Sequence, residues 1–291
     1  MYFCKICIEY PPLLSITTYH PVLGSKAAFL KVDENTFSNT FFTLLSVSDK
    51  SGILMRSVVA IISDIHANLI ALRAVLTDIH SHGEIEVLKI ICLGDLVGYY
   101  TQPIPVIHLT LARCNVVIKG NHDHAAALGV IPDHYRSDSF QPLDWTNQNL
   151  SIRERRILHA LPIMHTEKIA NKKIMCIHGG PEYPLDQYIY PENINDLDSS
   201  FEFMELIEVD TLFLGHTHVP FKVEKNNRII CNPGSVGQPR DGDPRASYAL
   251  YNTVSRDIEI YRVEYDPTAV IKGIEKHRFS AELGERLLIG K

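Results

Sequence analysis

Val58-Val59-Ala60-Ile61-Ile62-Ser63-Asp64-Ile65-His66-Ala67-Asn68 opens with five apolar residues and runs into a loop carrying a carboxylate and an imidazole two positions apart. The apolar run reads as a strand. A helix is expected next, with Leu69, Leu72, Leu76 and Ile79 on one face and Gly83 closing it. The pattern then repeats. A strand over Val87–Cys92 ends in Leu93-Gly94-Asp95-Leu96-Val97-Gly98-Tyr99, and Pro103 and Pro105 start a second helix through Cys114. A third strand, Val116–Ile118, breaks into Lys119-Gly120-Asn121-His122-Asp123-His124, read as a turn rich in metal-ligand and acid/base groups. Strand-helix repeats of this kind imply right-handed crossovers and a largely parallel sheet. Active sites in such sheets collect at the carboxyl ends of the strands.

Upstream of Met55 the character changes. Residues 1–54 mix short apolar runs with Pro11, Pro12, Pro21 and Gly24, show no sustained period, and end in a Ser-rich stretch. They are expected to be an N-terminal extension, loosely attached or produced by an early start codon, with the folded domain over residues 55–291. Cys4 and Cys7 form a lone C-x-x-C, and with no second pair they do not read as a four-ligand zinc site. Downstream, a single surface helix is expected over Leu143–Ala160, with Arg153, Glu154, Arg155 and Arg156 on its solvated side. The second half is strand-rich: His165–Ala170, Lys173–Ile177 ending in His178-Gly179-Gly180, and Thr211–Leu214 ending in Gly215-His216-Thr217-His218. Short strands over Phe221–Glu224, Arg228–Cys231, Tyr248–Tyr251 and Ile258–Val263 follow, with a helix near Asn193–Ile207. The C-terminus reads as helical, Pro267 taking a first helical position. Two sheets, each with a helical layer outside, account for this order.

The bulk composition narrows the function classes. The chain has 291 residues, 45% of them apolar and 21% charged, with a formal net charge of −6. That is a globular composition. An unbroken membrane-length apolar run is missing from the sequence, and so is a basic block, which argues against membrane insertion and against sequence-independent nucleic-acid binding. Lys5 and Glu9 interrupt any apolar core near the start, a poor secretory signal. The six cysteines sit mostly in apolar strand-like runs rather than in a disulfide framework, so a reducing cytoplasm is expected.

The polar strand ends make one set: Asp64 with His66, Asp95, Asn121 with His122, His178, and His216 with His218. Any one of them is ordinary as a turn residue or a core histidine. The recurrence at successive strand ends is what carries the reading, and His216 and His218, on alternate residues of an extended segment, point the same way. Imidazole and carboxylate together suit borderline divalent metals, and the histidine count excludes an all-oxygen calcium cage. Two ions about 3.5–4 Å apart, bridged by one carboxylate, form the usual two-metal hydrolytic site. Two ions bring +4 and Asp64 with Asp95 return −2, leaving an electropositive site for an anionic substrate inside an acidic protein.

Asp64-x-His66, Gly94-Asp95, Gly120-Asn121-His122-Asp123, His178-Gly179 and Gly215-His216-x-His218 resemble the motif series of the calcineurin-like metallophosphoesterases, from about Val58 to Tyr251. The segment from Asn232 through Arg240 to Tyr248 is similar to their small prokaryotic phosphodiesterase-like branch. The resemblance implies an α/β fold, a four-layer α/β/β/α sandwich of two mixed sheets flanked by helices. It implies one divalent ion on Asp64, His66, Asp95 and His218 and a second on Asp95, Asn121, His178 and His216, with manganese the first expectation and iron, zinc or nickel the alternatives. It also implies that His122 protonates the leaving group or stabilises the transition state, held by Asp123. Residues 1–54 have no counterpart in the family pattern. Gly98-Tyr99-Tyr100-Thr101 departs from the family's usual Gly-Tyr-Gly-Pro beside the substrate pocket, so specificity transfers poorly.

The expected activity is hydrolysis of small phosphodiesters by in-line attack of a metal-activated hydroxide. Arg240 and Arg245 are candidates to hold a substrate phosphate, and Tyr99 to stack on a base or aromatic leaving group. The alternatives are a phosphomonoesterase, such as a protein phosphatase or dinucleoside-tetraphosphate hydrolase, and a non-catalytic scaffold like the family's retromer subunit. The sequence leaves the oligomeric state open.

Overall fold

A computed structural model describes residues 56–132, 135 and 137–291. The expected extension, with Cys4 and Cys7, lies outside the described residues. β1 (Arg56–Ile62) is the middle strand of a five-stranded sheet, parallel to β2 (Ile85–Cys92) and antiparallel to β9 (Ala246–Asn252). β3 (Val116–Val117) and β10 (Ile258–Val263) complete it at the edges. A second sheet runs β4 (Met164–Ile169), β5 (Lys172–Ile177), β6 (Thr211–Phe213), β8 (Arg228–Asn232) and β7 (Phe221–Lys225).

The unbroken apolar run of β1 is explained by burial on both faces. Val58, Ala60 and Ile62 pack outward with α1 (Leu69–Ser81) and α2 (Pro103–Arg113). Val59 and Ile61 point the other way and meet Phe213, Cys231 and Tyr251 in a layer between the sheets. Each such side chain contributes roughly 1.5–3 kcal/mol by leaving water. Met175, Ile177, Leu212 and Ile230 cover the far face of the second sheet and pack against Leu197, Phe201 and Met204 of α6 (Ile194–Leu206). Two mixed sheets face to face with helices outside form the α/β/β/α sandwich.

Three helices differ from expectation. Asn121–His124, read as a turn, is the first part of α3 (Asn121–Leu128), with Asp123 at its third position accepting from the Gly120 N–H. The helix expected over Leu143–Ala160 is two, α4 (Ser137–Asn149) and α5 (Ile152–Ala160). Ser151 divides them. Its hydroxyl accepts from the Arg153 N–H and pairs with Glu154, the S-x-x-E start of a new helix. The basic run on α5 is also only half solvated. Arg153 and Arg156 are exposed, whereas Glu154 is buried and Arg155 donates to the Ala126 carbonyl at the end of α3 and to that of Asn147 in α4. The C-terminal helical stretch is α7 (Thr268–Lys276) and α8 (Ala281–Ile289), with Pro267 as the cap preceding α7.

Candidate metal centre

The parallel strands of both sheets, β1–β2–β3 and β5–β6–β8, end on the same side, and the loops after them interlock. The Asp64 N–H donates to the Gly94 carbonyl at 3.0 Å, and those of Ile65 and His66 donate to the Asp95 carbonyl at 2.9 Å. The Asp64 carbonyl accepts from the Gly237 N–H and the Ser235 hydroxyl, at 2.9 and 2.7 Å. This bracing holds an uncommon backbone. Asp64, His66, Asp95, His216 and His218 adopt left-handed φ of 53°, 48°, 53°, 68° and 61°. The left-handed region costs a side-chain-bearing residue roughly 1–2 kcal/mol. Concentrated strain of this kind is characteristic of sites whose geometry the surrounding fold imposes.

Three histidines share one device. The Nδ1 of His66, His178 and His218 lies 3.0, 2.9 and 2.5 Å from the carbonyls of Val97, Leu93 and Gln238. A carbonyl only accepts, so each Nδ1 carries the proton; the Nε2 of His66 and of His218 presents a lone pair to the centre, and that of His178 does so once it gives up a second proton. The lone pairs converge. His66 Nε2 and His218 Nε2 are 3.0 Å apart, and His218 Nε2 is 3.3 Å from Asp64 Oδ1. Asp95 Oδ1 accepts from the His122 N–H at 2.9 Å, which turns Oδ2 inward, 3.3 Å from His178 Nε2 and 3.7 Å from His66 Nε2. Asn121 Oδ1 comes within 3.1 Å of His178 Nε2, and its amide nitrogen donates to the Tyr135 hydroxyl at 2.7 Å. Among the described residues, His216 Nε2 is buried with no hydrogen-bond partner.

Electron pairs facing one another in a buried site repel unless a cation lies between them. Among the described residues, no lysine or arginine pairs with Asp64 or Asp95, which are 0% and 1% exposed. The donor atoms gather into three overlapping groups: Asp64, His66 and His218; His66, Asp95 and His122; Asp95, His178 and His216. All seven residues expected as ligands therefore meet in one place, and Asp95 lies between its two halves. The set of carboxylate, imidazole and amide oxygen fits borderline divalent ions.

His122 differs from the others. Among the described residues its Nδ1 is buried with no hydrogen-bond partner, so none of them fixes the tautomer. Gly98, at φ 92°, makes space for the ring, since a Cβ there would lie 2.4 Å from Nδ1. Asp123 was expected to hold His122 and does not. Its Oδ1 accepts from the N–H groups of Leu96 and Val97 and its Oδ2 from that of Gly120, at 2.9, 3.3 and 3.1 Å. Asp123 ties the Asp95 loop to the start of α3. Gly120 has an ordinary φ of −95° and is needed for space rather than for turning. A Cβ there would stand 2.0 Å from Asp95 Oδ1.

Beside these candidate ligands opens a cleft of about 750 Å³. Tyr99 and Arg240 line it, the guanidinium donating to the Tyr99 hydroxyl at 3.0 Å and to Gln238 Oε1 at 2.7 Å. Arg245 is elsewhere, exposed and clamped in two-point fashion on Asp243. Tyr135, Tyr188, Tyr190 and Arg286 also line the cleft and were not anticipated. Gln238 and Asn232 were likewise missed as positioning residues. Gln238 lends its carbonyl to His218, and Asn232 donates to the Gly215 carbonyl at 2.6 Å and to the Thr217 hydroxyl at 3.0 Å.

Charge in the metal-free site follows from burial set against these contacts. Burial opposes ionisation of Asp64 and Asp95, yet the histidines around them hold both carboxyls below the usual range. Burial also works against a charged His178, but Asp95 and Asp64 outweigh it and push His178 up to about 10. Burial lowers His122 to about 4 and His216 to about 3. At pH 7 the metal-free centre thus keeps a proton on His178 that an arriving ion must displace. Binding of manganese is expected to release close to one proton per protein, and affinity is expected to rise from pH 6 to pH 9. Calorimetric titration in two buffers of different ionisation enthalpy measures it, and identical heats in both would contradict it.

The chain belongs to the calcineurin-like phosphoesterase superfamily, whose domain matches residues 58–256. That superfamily comprises hydrolases of phosphoric esters and implies divalent metal ions. An uncharacterized protein of Methanocaldococcus jannaschii is 35% identical over 254 residues, covering 82% of this chain and all of its own. The crystal structure of a metallophosphoesterase from Sphaerobacter thermophilus is similar with a TM-score of 0.68 at 32% identity, covering 81% of this chain and 99% of that one. A hypothetical protein from Pyrococcus horikoshii gives a TM-score of 0.73 at 25% identity over the same shares.

Proposed function

We propose that this protein is a two-metal phosphodiesterase acting on small phosphodiesters. The observation that carries the reading is the convergence of seven ligand side chains beneath a cleft edged by an untethered His122 and the cationic Arg240. When bound, a divalent pair supplies activation of the attacking water and neutralisation of the phosphoryl oxygens. Asp95 serves both halves of the centre, and Asn121 adds an oxygen ligand without adding charge. When its ring is protonated, His122 can hand that proton to the departing ester oxygen and return to the neutral form that burial favours. Arg240 is placed to hold a phosphoryl oxygen, and the tyrosines offer faces to an organic substituent.

The test is metal-depleted protein reloaded with manganese and assayed on bis- and mono-p-nitrophenyl phosphate. A kcat/KM at least tenfold higher for the diester is expected. The reverse ranking would make it a phosphomonoesterase, and no hydrolysis with manganese, iron, zinc or nickel would make it a scaffold. No helix among the described residues is long and apolar enough to cross a membrane. Cys92, Cys114, Cys176 and Cys231 are unpaired thiols, which supports a cytoplasmic location as part of this reading. We further propose that residues 55–291 are the phosphoesterase domain and residues 1–54 an extension of it. Limited proteolysis is expected to remove the extension and leave a resistant, active core; a protected extension would refute the division.

A further inference from the structure

The loop after β5 begins at His178-Gly179-Gly180 and is clamped back onto that start. The Gly179 N–H donates to the Pro184 carbonyl at 2.6 Å, and the Tyr183 carbonyl accepts from the N–H groups of Asp186 and Gln187, both at 3.1 Å. Gln187 Oε1 accepts from the Glu182 N–H at 3.0 Å and packs on Gly180, where a Cβ would stand 2.4 Å from it. The next three residues alternate as in an extended stretch. Ile189 points inward and is buried with Ile177, Leu197 and Phe201. Tyr188 and Tyr190 flank it, and both line the cleft.

The two tyrosine rings are parallel to within 4°, with centroids 6.1 Å apart. The Tyr188 ring also rests on that of His216, at a centroid distance of 3.9 Å. Tyr188 is thus held in place on a candidate ligand, yet it stays 47% exposed. A large ring fixed by its neighbours and open to the cleft is apolar area available to a ligand. Tyr99, expected to stack on the substrate, has no comparable face. It is 7% exposed, with the rings of His66 and His122 at 4.7 and 5.0 Å and the Arg240 Cζ 5.4 Å from its centroid. The cleft, at about 750 Å³, has room for a phosphodiester with a ring system attached. A flat ring gains more from such a surface than an aliphatic group does, because stacking adds to burial.

We propose that Tyr188 and Tyr190 form an aromatic shelf that stacks on a planar ring carried by the substrate, so that the preferred phosphodiesters bear a purine or a similar flat heterocycle. The two tyrosines determine specificity through KM and do not touch the reacting atoms. The contact with His216 fixes the shelf relative to the candidate metal centre. The inference rests on the phosphodiesterase reading above.

Three 2′,3′-cyclic phosphates test it: those of adenosine, of methyl riboside, and of a riboside with cyclohexyl in place of the base. All three present the same ester bonds, and only the first carries a flat ring. The manganese-loaded protein is expected to favour the adenosine ester over both others at least tenfold in kcat/KM, mainly through KM. Tyr188→Leu is expected to reduce that preference to twofold or less, and Tyr188→Trp to keep it. The preference is a ratio within one variant, so any weakening of metal binding at His216 cancels from it. Equal turnover of all three esters, an advantage shared by the cyclohexyl ester, or a preference that survives Tyr188→Leu overturns the shelf alone. Failure to hydrolyse any of the three overturns the phosphodiesterase reading and the shelf with it.

Discussion

Asp95→Asn is expected to lose both metal ions together while keeping the fold. Asp95 Oδ2 lies 3.7 Å from His66 Nε2 and 3.3 Å from His178 Nε2, nearer to both than Asp64 Oδ1 at 3.8 and 4.0 Å, so both halves of the centre depend on it. Asparagine has the same shape, and its Oδ1 can still accept the His122 N–H. Its Nδ2, however, presents hydrogen atoms where an ion needs electrons. The expected result is less than half an equivalent of manganese per chain, against two for the unmodified protein, and a fall in kcat of at least 10³. His216→Ala is the control, because it removes a ligand from one half only and should cost a single equivalent. Thermal stability supplies an independent readout. Each ion at a hundredfold excess over its Kd adds about 2.7 kcal/mol. For a domain of this size that corresponds to a rise in Tm of roughly 5–10 °C. Asp95→Asn should lose both increments and melt below the metal-free parent, because the carboxylate that favours a charged His178 is gone. Two retained equivalents would show that Asp95 does not bridge.

Much of this site was legible because its chemistry sits at strand ends. The run from Val58 to Ile62 must be apolar on both faces, and the sudden Asp64-x-His66 after it has no packing explanation. Three residues in one helical turn were harder. Asn121, His122 and Asp123 are all plausible ligands or proton carriers in sequence. On α3 they are set about 100° apart, so Asn121 and His122 face the cluster of candidate ligands while Asp123 turns back to the amides of Leu96, Val97 and Gly120. Gly120 was readable as essential, but for the wrong reason, since a sequence does not show that Asp95 will lean on it. Arg240 and Arg245 share one loop and one composition. Only the fold decides that Arg240 turns in to Gln238 and Tyr99 while Arg245 turns out to Asp243. The left-handed backbone at five ligands left no trace either. No glycine marks those positions, and the bracing comes from loops distant in sequence. Tyr188 and Tyr190 lie in a long irregular loop with no period to show which face they present. Arg286 comes from a helix pair outside the motif series altogether.

His122→Ala is expected to keep both ions and to lose rate in proportion to how badly the leaving group needs a proton. The residue belongs to a group of potential ligands with His66 and Asp95, so metal content must be measured first. Two retained equivalents would separate it from His66, His178 and His218, whose Nδ1 protons are fixed by backbone carbonyls while that of His122 is not. p-Nitrophenolate departs as a stable anion and requires little help. A ribose alkoxide does not, and general acid assistance contributes about 10²–10⁴. The expected loss is therefore tenfold or less on bis-p-nitrophenyl phosphate and 10² or more on a 2′,3′-cyclic nucleotide. No loss on either substrate, with both ions in place, would remove His122 from the reaction. An equal large loss on both would move its action from the leaving oxygen to the phosphoryl oxygens, where the need for a hydrogen bond does not depend on what departs.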